Sequence, residues 1–195
     1  MSAVGDTDPG PLLDRARTLL RLGRNRMAER ELRGVLARDP GHVLGHALLA
    51  FALAAQGRHD EALAAARETT RLAPDHWHAH YTVARVLQHA GRSAEAVSAA
   101  QAALAADPDR PEVWELLAHA HLSLGQWWHA EQAARQGLAR DPYRSALHRH
   151  LALALTALRD KERALAAAAD AIRADPEDPQ AHLAHGQTAL AFADH

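Results

Sequence analysis

A proline returns every 34 residues along this chain, at Pro40, Pro74, Pro108, Pro142 and Pro176, without a miss. The same frame carries Gly23, Gly57, Gly91 and Gly125, with Arg159 in the fifth place. An alanine column, Ala28, Ala62, Ala96, Ala130 and Ala164, runs through it with no exception. The pentapeptide LARDP accordingly appears at both 36–40 and 138–142. Such a period marks a chain of repeated units, none of which can bury its apolar face alone, so neighbours must stack into a continuous core.

Each unit has two halves. Segments such as WHAHYTVARVLQHAG, from Trp77 to Gly91, and RSAEAVSAAQAALAADP, from Arg92 to Pro108, are built of helix formers with apolar residues at three- and four-residue spacing. Glycine tolerates positive φ and suits the tight turn after the first helix, whereas proline cannot donate the hydrogen bond that would extend the second. The predicted unit is therefore helix, turn, helix, turn. Alanine in fixed columns lets the paired axes approach closely.

A 34-residue helix-turn-helix with small residues in fixed columns and a closing proline resembles the tetratricopeptide repeat. The resemblance covers residues 9–42, 43–76, 77–110, 111–144 and 145–178, followed by a lone capping helix over 179–192. Trp114, Leu117 and Ala118 match its pattern in the fourth unit, as do the pairs Leu49–Ala50 and Leu151–Ala152. The first unit has Arg15 before Ala16, as an atypical terminal unit would. The resemblance implies an all-α fold, a right-handed α-solenoid of antiparallel helix pairs, forming a single domain over 9–195. Residues 1–8, short, polar and turn-rich, are expected to be a disordered tail.

The resemblance also implies a concave groove, lined by the first helix of each unit, in which a non-catalytic scaffold grips a peptide or protein segment. Residues four apart share a helix face. On that spacing the candidate groove residues are Arg17, Phe51, Tyr81, Arg85, His89, Glu115, His119, Arg149 and His150. They suggest an apolar floor near Phe51 and Tyr81 with cationic or titrating edges. An arginine fork takes a carboxylate with two hydrogen bonds, which favours an acidic or C-terminal carboxylate ligand, with Glu112 and Glu115 opposing it. The Lys and Asn set with which chaperone-binding members clamp a terminal carboxylate is not present here, so that partner is not carried over.

His46, His80, His148 and His182 stand in the column where the family most often has Trp. One reading is a metal ladder, helped by the pairs His42–His46 and His76–His80; the other is that histidine replaces an aromatic plate between units. The second is favoured, because zinc needs three or four ligands at one point whereas this column recurs once per unit, at about 10 Å helix spacing. No metal or other cofactor is expected. Fifteen histidines with ordinary values near 6.5 also predict that stability or ligand affinity changes between about pH 7 and 5.5. In GQWWHAE, Trp127 is expected in the core, and Trp128, partly exposed, is expected to pack against the next unit, with a convex-face contact as the alternative.

The last helix bears Leu183, Leu190 and Phe192 on what reads as an outer face, more apolar than a cap needs. The alternative function is accordingly the N-terminal part of a longer repeat protein, or a homo-oligomer joined through this helix. The balance of 22 basic to 24 acidic residues argues against a nucleic-acid partner. No cysteine is present to form a disulfide or a thiolate metal site, and no apolar run approaches the ~20 residues of a membrane span. A cytoplasmic protein without a membrane partner is expected. The chain contains no HExxH, no GxSxG and no glycine-rich phosphate loop, so an enzyme is not expected.

Overall fold

Four glycines of the 34-residue frame adopt positive φ, between 68° and 75°, and Arg159, in the fifth place, adopts 63°. Each closes a first helix in the same way. The Gly23 amide donates to Leu20 O at 3.0 Å and the Arg24 amide reaches back to Leu19 O at 2.8 Å, and the pattern recurs at Gly57–Arg58, Gly125–Gln126 and Arg159–Asp160. This 5→2 plus 6→1 pairing uses the left-handed residue to satisfy carbonyls that the helix end would leave open.

The computed structural model describes residues 10–193; the expected tail over 1–8 lies outside them. Within them the chain is all helical: α1 (Gly10–Arg21), α2 (Asn25–Arg38), α3 (Val43–Ala54), α4 (His59–Leu72), α5 (Trp77–His89), α6 (Ser93–Ala106), α7 (Pro111–Ser123), α8 (Trp127–Leu138), α9 (Ser145–Ala157), α10 (Lys161–Ala174) and α11 (Pro179–Ala191). The second helices start at Asn25, His59, Ser93, Trp127 and Lys161, keeping the period to the residue. No helix among the described residues is long and apolar enough to cross a membrane.

The chain divides into two compact units, one ending at Gly91 and the other starting at Arg92. In the first, each of α1–α4 packs on the next, and the first helices α1, α3 and α5 also pack in series. Its core joins the fully buried Ala16, Ala28, Ala50, Ala62 and Ala84 with Leu32 and Val35. In the second, α6–α11 follow the same scheme, with α7, α9 and α11 in series. There Ala96, Ala118, Ala130, Ala152 and Ala164 are 0% exposed and larger side chains such as Val113, Leu147 and Leu155 fill the spaces between. Contact is close enough that a Cβ on Gly137 would lie 2.6 Å from Leu147 Cδ1.

Helix α11 turns Ala181, Ala184, Thr188 and Phe192 inward. Phe192, expected on the outer face, is instead 7% exposed and packs with Ala152, Leu155, Ala164, Ala167 and Ala168. It follows the helix end, where the chain bends its ring beneath α9 and α10. Arg159 and Lys161 then donate to the carbonyls of Ala191 and Phe192, each at 3.3 Å, placing cations on the negative end of α11. The expectation for Trp127 also needs correction. It is 40% exposed in the first turn of α8, with its ring lying over Gly125.

Candidate functional site

In the unit ending at Gly91, α3 and α5 run side by side because Ala47, Ala50 and Ala84 leave no exposed bulk between them. Phe51 on α3 then meets Tyr81 and Arg85 of α5. The Arg85 guanidinium carbon lies 4.8 Å from the Phe51 ring centre and 5.8 Å from that of Tyr81, and Nη1 lies 3.5 Å from the Tyr81 hydroxyl. All three side chains are partly buried. Among the described residues no carboxylate pairs with Arg85. Its charge rests on two ring faces, and the edge of the fork remains available to an acid. Trp77 extends the aromatic surface, 5.8 Å from Tyr81.

The other candidates of this unit lie elsewhere. Arg17 is exposed on α1, 3.4 Å from Asp14, and lines a cleft of about 580 Å³ with Leu20 and Leu48. His89 is exposed in the last turn of α5.

In the unit starting at Arg92, Glu115 and His119 stand on α7, and Arg149 and His150 on α9. Glu115 forms an ion pair with Arg144, so its charge is already met. The rings of His119 and His150 stack at 5.4 Å and 19°. His150 is not a groove edge, as the sequence suggested, but a ring 7% exposed whose Nδ1 has no partner. Burial first, then the charges of His119 and Arg149, push its imidazole down to about 3. His119 is exposed on the other side of the stack, and burial followed by Arg149 lowers it as well. Arg149 is partly buried, with Nε sealed from solvent and unpartnered. Of these four, His119 and Arg149 are the two that are neither buried nor ion-paired among the described residues.

The histidine column has a role that sequence reasoning missed. His46, His80, His148 and His182 place Nε2 at 2.7–2.9 Å from the carbonyl oxygens of Pro40, Pro74, Pro142 and Pro176, and the Trp114 indole N–H donates to Pro108 O at 2.9 Å. Histidine thus stands in for tryptophan as a ring N–H donor. The signal was present: ring and proline are always six residues apart. The pairs raised as chelators are engaged too. His42 and His76 cap α3 and α5, their Nδ1 accepting from the amides of Gly45 and His78. No three His, Asp or Glu side chains among the described residues converge as a metal set.

Two further features face solvent. Leu183 and Leu190, seven residues apart on α11, are 53% and 72% exposed. Trp128 is 59% exposed at the start of α8.

Family models described as tetratricopeptide repeat match residues 13–76 and 115–179, and a further one, over 53–120, bridges them. No curated protein matches. Among solved structures, a thermophilic TPR protein of Thermus thermophilus is 18% identical at a TM-score of 0.81, covering 94% of this chain and 100% of that one. PilW, a type IV pilus biogenesis factor, is 19% identical at 0.84 over 95% of this chain and 86% of its own. YrrB, a TPR protein with an unusual peptide-binding site, is 16% identical at 0.65 over 92% of each. At such identities the likeness is one of fold.

Proposed function

Because this chain belongs to the tetratricopeptide repeat family, we propose that it is a non-catalytic scaffold that holds a peptide or protein segment against the first helices of its units. The observation that carries this reading is the cluster of Phe51, Tyr81 and Arg85, in which a cation sits on two aromatic faces with no acid among the described residues to meet it. A ligand side chain packs on the rings while a ligand carboxylate takes the edge of the fork. His119 and Arg149 form a second contact set in the other unit. Glu115, which would repel an acidic ligand, is neutralised by Arg144.

The test is a peptide array probed with the full chain, followed by titration of the peptides retained. Arg85→Ala together with Arg149→Ala weakens acidic ligands about tenfold at low salt and less at high salt, as expected of partly exposed charge pairs. Unchanged affinity removes both residues from the site.

A second reading rests on Leu183 and Leu190, whose exposure on α11 offers a seat for another helix, from a further repeat or a sister copy. Light-scattering mass across a concentration range separates the cases. A monomer throughout removes the sister copy.

A further inference from the structure

The second helices carry a charged feature of a different kind. On α2, Arg26, Arg30 and Arg33 follow at four and three residues and so share one face. With Glu29, and with Arg58 at the N-cap of α4, they line a cleft of about 440 Å³. Two of these four arginines are spent. Arg33 lies 2.8 Å from Glu29 and 3.8 Å from Glu61, and Arg58 lies 2.8 Å from Glu29 and 2.5 Å from Glu61. Two guanidiniums and two carboxylates make a closed, neutral square, to which Gln56 adds a hydrogen bond to Glu29 at 2.9 Å. Burial works to raise the Glu29 carboxyl, but the bonds from Gln56 and Arg58 outweigh it and hold the group below its ordinary value.

Arg26 and Arg30 stand outside the square. Both are exposed, and among the described residues neither has an ion-pair or hydrogen-bond partner. The square therefore gives the cleft a fixed wall while its mouth keeps two uncompensated positive charges.

We propose that this cleft is a second docking site, separate from the first-helix face, and that it takes an acidic peptide segment of a partner protein whose carboxylates engage Arg26 and Arg30. Side chains one helical turn apart stand about 5–6 Å from each other at Cβ. Acids four apart on a partner helix, or two apart on an extended strand at about 7 Å, match that spacing. A nucleic-acid backbone fits less well. Its phosphates continue on both sides of any contact, whereas here Glu29 lines the same cleft and the chain as a whole carries a formal −2.

The test uses the full chain carrying Arg85→Ala and Arg149→Ala, which removes the first-helix cations, and a fluorescent hexaglutamate peptide, followed by anisotropy at low and high salt. The expected result is saturable binding that weakens with salt and falls about tenfold when Arg26→Gln and Arg30→Gln are added to that background. Three results overturn the proposal: no binding of hexaglutamate, equal binding after Arg26→Gln and Arg30→Gln, or tighter binding of an oligonucleotide of the same net charge. The Arg85→Ala, Arg149→Ala background keeps this test independent of the first-helix reading.

Discussion

At His150 burial and charge act in the same direction. An imidazole in the unfolded chain titrates near 6.5, but in the fold this ring is held down at about 3 by its burial and by the neighbouring His119 and Arg149. As pH falls below 6.5 the unfolded chain takes up a proton that the folded chain refuses. The stabilisation is therefore complete at neutral pH and lost progressively as pH falls toward 3. Between pH 7 and 5.5 this group alone removes about 1 kcal/mol. His119 and His121, both lowered chiefly by burial, act with the same sign. The melting temperature should fall over that range, and His150→Leu should make the fall shallower; equal slopes would sink the assignment. Sequence alone gave fifteen candidates for such behaviour and no means of choosing, since what singles out His150 is the approach of α9 to α7.

The helices and turns were the most legible part of this chain, because their demands are local. A turn that needs positive φ selects glycine, and a helix end that must not continue selects proline. Where the pattern broke, at Arg159, the structure kept the conformation and accepted the wrong residue. An L-residue in the left-handed region costs about 1–2 kcal/mol, partly offset here because glycine would add freedom to the unfolded chain. Arg159→Gly also gives up the 3.3 Å bond to the Ala191 carbonyl. The net expectation is a gain of about 0.5–1 kcal/mol in urea unfolding; a loss would show that this bond outweighs the strain. Two placements failed for the opposite reason. The exposure of Trp127 and the burial of Phe192 depend on how far a neighbouring helix reaches, which no single element records.

Across the whole molecule, the candidate surfaces were legible in proportion to how local they are. Phe51, Tyr81 and Arg85 came from counting along first helices, whereas the arginine cleft needs α2 to face the start of α4, a pairing that lies between repeats. Net charge also concealed it: the chain to Gly91 has twelve arginines against ten acidic residues, and the remainder ten basic against fourteen acidic. In a repeat architecture a defect spreads only through neighbours. Ala164→Asp buries a carboxylate at a position 0% exposed, and hydrogen exchange should then lose protection in α9–α11 while α1–α4 keep theirs. Uniform loss would mean that the chain unfolds as a single block. The ring-to-proline bonds carry one more consequence. Each closes a loop whose span is set by the reach of one side chain, so an inserted or deleted residue between proline and ring would rotate the donor by about 100° and break the bond. The bond acts as a gauge of length, checked once in every repeat from Pro40 to His182, and it guards the turns between repeats against insertion.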